Sequence, residues 1–223
     1  MRLPRPQWLC FDLDGTLVDS VPDITQSVNV MLSEMQLTPV TTMTVRDWIG
    51  QGAAKLIERA LCYSLAPSKV SEYQIKRGHE LFFEAYRNNT AEQSQLFPGC
   101  LSTLEYFQDW GTPMACVTNK PRQFTQPLLA AMKLDIFFHT TVCGDDLAVK
   151  KPDPQPLLHA IEQLSGQPQR GYMIGDSDTD MKTAARAGTG AIYVTYGYNR
   201  GINVDEYKPI VVRELSQLTQ LFG

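Results

Sequence analysis

The 223-residue sequence is poor in histidine, with three, and its five cysteines include no C-x-x-C pair. The cysteines stand at 10, 62, 100, 116 and 143, an odd number without regular spacing. That argues against a disulfide framework and offers no zinc site, so most read as buried thiols of a reducing compartment. His79, His139 and His159 are scattered without metal-ligand spacing and read as structural. Excess positive charge is missing too: the formal net charge is −4 and the pI is near 5.4. Broad electrostatic binding to nucleic acid or anionic membrane is therefore not expected, which leaves a small anion in a local basic pocket. No segment approaches the roughly 18 apolar residues needed to cross a bilayer. The opening "MRLPRPQWLCFDL" has its short apolar run interrupted by Asp12, so it lacks the core of a secretory signal and a cytoplasmic location is expected. Internal repeats and low-complexity tracts are also lacking.

What the chain does have is alternation. Apolar runs suited to buried strands occur at "WLCFDL", "MACVT" (114–118), "TTVCG" (140–144), "GYMIG" (171–175) and "AIYVT" (191–195). Helical segments lie between them, with matching punctuation. Gly99 and Gly111 bracket "CLSTLEYFQDW", Pro121 can open a helix, Asp153 can cap one with Pro154 at its first position, and "DMKTAARAG" ends on Gly188. This βαβα order predicts an α/β fold, a doubly wound, mostly parallel Rossmann-like sheet. Residues 18–90 differ, with no convincing strand. Ile24, Val28, Met31, Leu32 and Met35 form a helical stripe, and "AAKLIERAL" and "ELFFEAY" mark further helices. The expectation is a catalytic core of residues 1–17 and 92–223, with a helical cap inserted at 18–91.

Four short motifs fall where predicted strands run out, the place where open parallel sheets bind ligands. "FDLDGT" brings Asp12 and Asp14 together, followed by Gly15 and Thr16. Glycine allows a sharp turn and a close approach of backbone N–H groups to an anion. A divalent cation would neutralise the like charges, and a phosphate ester would account for the cation. One Asp could then attack phosphorus while the other moves the proton. An ordinary Asp-Gly turn is the plain alternative. "VTNK" offers Thr118 and Asn119 as neutral donors, or merely a turn before Pro121. "KKPDP" offers a lysine for an anion, Lys151 being favoured because it directly precedes Pro152, against the alternative of two exposed loop lysines. "GDSDTD" (175–180) is oxygen-rich, as Mg²⁺ requires. A calcium loop starting at Asp176 would need glycine and glutamate where Met181 and Ala187 stand, so that reading fails; a helix cap by Ser177 or Asp178 remains open.

Taken together and in this order, the motifs resemble those of the haloacid dehalogenase superfamily of phosphohydrolases, and the resemblance covers nearly the whole chain. "DGTLVDS", "WIGQGAAKLIERAL", "VTNKP", "KKPDP" and "TYGYN" look most like the bacterial phosphoglycolate phosphatase branch. The resemblance implies that Asp12 is the nucleophile and that Asp14 is the general acid and base. It further implies that Mg²⁺ is held by the Asp12 carboxylate, the Asp14 backbone carbonyl and Asp176, with Asp180 in support. Thr118, Asn119 and Lys151 would hold the phosphoryl oxygens. The presence of Asp14 favours ester hydrolysis over dehalogenation.

The expected partner is a small phosphate ester, with no nucleic acid or membrane involved, and the protein is expected as a monomer or homodimer. Substrate choice is expected in the cap, where Gly50 and Gly52 precede a helix whose free N–H groups could receive a carboxylate, or serve simply as a loop before that helix. Arg46, Lys55, Lys120 and Arg122 are further candidates for that anion, and "TYGYNRG" (195–201) for the rim of the site. Alternatives kept open are the same machinery acting on pyrophosphate or a sugar phosphate, a phosphomutase, and a phospho-aspartate signalling receiver. The receiver is disfavoured because its acid follows the third strand rather than the first.

Overall fold

The computed structural model describes residues 3–198 and 203–222. Six parallel strands form the central sheet: β1 (Trp8–Phe11), β4 (Met114–Val117), β5 (Thr140–Val142), β6 (Gly171–Gly175), β7 (Gly190–Val194) and β8 (Ile210–Val212). Their order is β5-β4-β1-β6-β7-β8. From β1 the chain first builds outward through β4 and β5, then returns to β6 on the other side of β1 and continues to β8. The order therefore reverses beside β1, at whose carboxyl end Asp12 stands.

All four residues of β1 are buried because helices cover both faces. Leu9 and Phe11 pack with Leu104 and Phe107 of α5 (Cys100–Asp109) and with Leu128 and Leu129 of α6 (Arg122–Ala131). Trp8 and Cys10 point to the opposite layer, against Leu157 and Ile161 of α7 (Gln155–Gln163) and Ala184 of α8 (Asp178–Ala187). The period of two thus survives inside a fully apolar strand.

The five anticipated strands are present, and three further strands were not anticipated. β2 (Val18–Asp19) pairs antiparallel with β3 (Gln95–Leu96), so the interval expected to hold no strand begins with one. Two residues carry no readable period. The three-residue β8 is equally short, and the small α9 (Leu218–Leu221) follows it. Pro154 occupies the cap position of α7 rather than its first turn, while Asp153 still accepts the Gln155 N–H at 2.9 Å.

Between β2 and β3 lie α1 (Val21–Glu34), α2 (Thr42–Arg46), α3 (Ala53–Leu65) and α4 (Glu72–Asn88). The predicted stripe of α1 is buried at Ile24, Val28, Met31 and Leu32, against Ile57 and Leu61 of α3 and Leu81 and Phe82 of α4. Phe124 and Tyr198, from the sheet side, join the same cluster. No helix among the described residues is long and apolar enough to cross a membrane. Of the stretch proposed as a rim, Asn199, Arg200 and Gly201 lie outside the described residues.

Candidate active site

Asp12 is the first residue beyond β1, and its N–H donates to Ile174 O of the neighbouring strand at 2.9 Å. Its carboxylate faces Lys151 Nζ at 2.9 Å, and the same ammonium reaches Asp180 Oδ1 at 2.7 Å. Asp12, Asp176 and Asp180 are all buried, each with a carboxylate oxygen within 4.8 Å of the others. Three acids therefore surround one base in a place nearly closed to water.

Burial pushes the Asp12 carboxyl up to about 8, helped by the Asp180 charge and opposed by Lys151. Asp176 is pushed up to about 7, again by burial first and then by Asp180. Burial works to lower Lys151, but the Asp12 and Asp180 carboxylates overcome it and hold the ammonium well above its usual value. The cluster is short of positive charge. A hard divalent cation fits both the deficit and the all-oxygen donor set.

Local structure explains how these groups meet. Gly15 has φ +88°, and a Cβ there would fall 2.4 Å from Asp176 Oδ2, so only glycine lets the loop after β1 lie against that carboxylate. Gly15 and Thr16, expected to receive an anion, are bonded within the protein here. Gly15 N–H donates to Val18 O, and the Thr16 hydroxyl donates to Asp176 Oδ1 at 3.3 Å. Ser177 caps α8 in a reciprocal box with Asp180, whose Oδ2 accepts the Ser177 N–H at 3.2 Å. Asp180 is thus both a helix-start residue and an anchor for Lys151.

Thr118 and Asn119 follow β4 as predicted. The buried Thr118 hydroxyl accepts the Lys120 N–H and keeps its own proton to donate. Asn119 differs from expectation, since its side-chain amide donates to Gly50 O at 3.0 Å and Lys151 O at 2.9 Å. With both acceptors carbonyls, the amide ties the loop before α3 to the lysine loop. Of the two lysines, Lys151 enters the acid cluster, whereas Lys150 stands by Gly52.

Above the carboxylates is a cavity of about 50 Å³, lined by Asp12, Asp14, Thr118 and Asn119 below and by a wall of Lys120, Ile49, Gly50, Gly52, Leu56, Phe82 and Tyr86. Gly52, with φ +87°, is the N-cap of α3. The structure also separates the four basic candidates. Lys55 pairs with Glu58, Arg122 with Asp146 and Arg46 with Asp19, and none of the three lines the cavity. Lys120 does, and it is almost completely buried, 3.0 and 3.2 Å from the Asp14 oxygens and 2.5 Å from the Tyr86 hydroxyl. The Ser20 hydroxyl donates to Asp14 Oδ1. Sequence reading named neither Ser20 nor Tyr86, because nothing local to them signals a partner 6 or 34 residues away. No histidine lines the cavity; His139 Nδ1 accepts the Met114 N–H, and His79 packs on Phe83.

Comparison with known proteins agrees with this geometry. The family model described as haloacid dehalogenase-like hydrolase matches residues 9–194. The phosphoglycolate phosphatase of Nitrosococcus oceani is 37% identical, covering 99% of this chain and 98% of its own. Phosphoglycolate phosphatase 1 of Pseudomonas aeruginosa is 41% identical, over 95% of this chain and 76% of its own. Among solved structures, a predicted phosphoglycolate phosphatase from Haemophilus somnus superposes with TM-score 0.90 at 32% identity, covering 96% of this chain and 97% of that one.

Proposed function

The chain belongs to the haloacid dehalogenase-like hydrolase family, and from that premise we propose that it hydrolyses 2-phosphoglycolate to glycolate and phosphate through an aspartyl-phosphate on Asp12. The observation that carries this reading is a cavity that meets a buried acid cluster at Asp12 and has one cation, Lys120, among the described residues of its wall. Relatives that carry the phosphoglycolate phosphatase name support the choice of substrate.

The core of residues 1–17 and 92–223 carries out the phosphoryl chemistry, and the helical cap of 18–91 encloses the organic part. The Asp12 carboxylate attacks phosphorus in line while Lys151 and the Thr118 hydroxyl hold non-bridging oxygens, which pre-orients the reactants and matches charge as it develops. Asp14 protonates the leaving alkoxide; then, in the second half, it takes a proton from the water that opens the aspartyl-phosphate. Asn119 acts at one remove by fixing the Lys151 loop. Asp12, the Asp14 carbonyl and Asp176 would hold Mg²⁺, with Asp180 behind them, and the ion supplies charge neutralisation at the phosphoryl oxygens. Three buried carboxylates against one ammonium support that placement.

Lys120 and the N-terminus of α3 receive the substrate carboxylate, with Ile49, Leu56 and Phe82 closing on its single methylene. The cavity joins this apolar wall to the polar side chains of Asp12, Asp14 and Lys120, as a small charged ester requires. The protein works in the cytoplasm, alone or as a homodimer.

The test is phosphate release from 2-phosphoglycolate with Mg²⁺, beside pyrophosphate, glucose 1-phosphate and an aryl phosphate. The expected outcome is the highest kcat/KM for 2-phosphoglycolate by orders of magnitude. A different leading ester would keep the mechanism and reassign the substrate.

A further inference from the structure

Tyr198 belongs to a motif that the phosphoryl chemistry leaves without a role, and its contacts lead to two of the site's carboxylates, Asp176 directly and Asp14 through Ser20. It is 4% exposed. Its backbone N–H donates to Asp176 Oδ2 at 2.7 Å. Its phenolic oxygen accepts the Ser20 N–H at 2.7 Å, and its proton reaches Asp19 Oδ1 at 3.1 Å and Val18 O at 3.3 Å. Ser20 in turn donates from its hydroxyl to Asp14 Oδ1. On the outer face, the Arg46 guanidinium of α2 lies 5.6 Å from the Tyr198 ring centre and pairs with Asp19 at 3.8 Å.

We infer that Tyr198 is a positioning residue that sets Asp14 through Ser20 and braces the strand by which the chain enters the helical cap. This deepens the function proposed above and rests on it. The physical case is geometric. Asp14 lies on a turn between β1 and β2, and a side chain on such a turn needs a fixed partner to stay within hydrogen-bond reach of a leaving oxygen. Beside Lys120, Ser20 is such a partner, and Ser20 is itself placed by a hydrogen bond from its backbone to a phenol that is anchored at the other side of the site. The single side chain from residue 198 therefore joins the segment after β7, the nucleophile loop and the start of α1. A mere space-filling role for the ring would need none of the three oxygen contacts.

The experiment is a double-mutant cycle of Tyr198→Phe and Ser20→Ala, assayed on 2-phosphoglycolate and on p-nitrophenyl phosphate. Tyr198→Phe keeps the ring and the N–H on Asp176 but removes the phenol. The expected result is a fall in kcat of about 10-fold to 100-fold, equal for both esters, as for loss of an outer partner that orients a site group. KM is expected to stay within about twofold, because uniform substrate binding is not what the phenol supplies. The double variant should be no slower than Ser20→Ala alone, and the upward shift of Tm caused by Mg²⁺ should match the wild type.

Unchanged kcat in Tyr198→Phe, multiplicative effects in the double variant, or loss of the Mg²⁺-induced shift would each overturn the inference. A wild-type chain that hydrolyses only another ester would reassign the substrate and leave this test standing. One that hydrolyses no ester would sink the functional reading and the inference together.

Discussion

The floor and the wall of the cavity are built from opposite materials. On the floor stands Asp12, and directly behind it Lys151, Asp176 and Asp180 crowd charge into a buried space at the carboxyl ends of β1 and β6 and the start of α8. On the wall, Ile49, Leu56, Phe82 and Phe124 present apolar surface, relieved by one ammonium, Lys120, held between Asp14 and Tyr86. The floor is electrostatically strained, for its carboxyls are pushed up to about 8 and about 7. The wall is relaxed, with its apolar side chains joined to the core of the four helices. Under the proposed function the contrast is a division of labour, with strained charge at the phosphoryl group and ordinary packing around the leaving group.

Breaking the floor should have the largest effect. Asp12→Asn should lower kcat by about a thousandfold or more, since a nucleophile that works as part of a unit carries most of the rate. The same change removes one of three crowded carboxylates, so the Tm of the metal-free protein is expected to rise. A variant that loses activity and stability together would contradict the picture of a strained floor. Lys151→Met tests the opposite sign. It leaves Asp12 and Asp180 without their cation and should destabilise the metal-free protein by about 3–5 kcal/mol, measured by urea unfolding.

The wall should respond more selectively. Lys120→Met is expected to reduce kcat/KM for 2-phosphoglycolate about 10-fold to 100-fold more than for an uncharged aryl phosphate, as for a buried group left without its charged partner. An equal loss on both esters would mean that Lys120 serves Asp14 alone.

The smallest effect sharpens the comparison by pH. Asp12 and Asp176 have raised values in the folded chain against an ordinary 3.8, so the folded state keeps protons that the unfolded state releases. Their contribution is favourable below about pH 4 and is lost as pH rises through about 7 and 8. Without divalent cation, Tm should therefore fall between pH 5 and pH 8, by about 2–4 °C for each kcal/mol lost. Mg²⁺ should raise Tm more at pH 8 than at pH 5, and a rise independent of pH would place the ion elsewhere.

Much of the floor is legible in the sequence because its residues sit in short motifs at strand ends. Asp12 and Asp14 are two residues apart, Lys151 directly precedes a proline, and Asp176 and Asp180 share one loop-to-helix turn. Apolar runs locate those strand ends, and a parallel sheet then brings the ends to one edge. The wall is less legible. Lys120 is one of four basic candidates, and only its distance from Asp14 and Tyr86 separates it from Arg46, Lys55 and Arg122. Asn119 reads as a phosphoryl donor from its motif, whereas its amide ties Gly50 to Lys151. The β2–β3 ribbon is invisible in the sequence because two residues on each strand leave no pattern.

The sequence by itself determined the α/β alternation, the helical insertion and the chemical identity of the floor, because turn residues, apolar period and carboxylate spacing act over a few neighbouring residues. Tertiary structure decided which cation lines the cavity, which amide is already occupied, and that Tyr198 reaches back to Ser20 across 178 residues of chain. Those outcomes depend on how the sheet and the four helices pack. Contacts between distant segments are set by the sum of that packing, which no local pattern records.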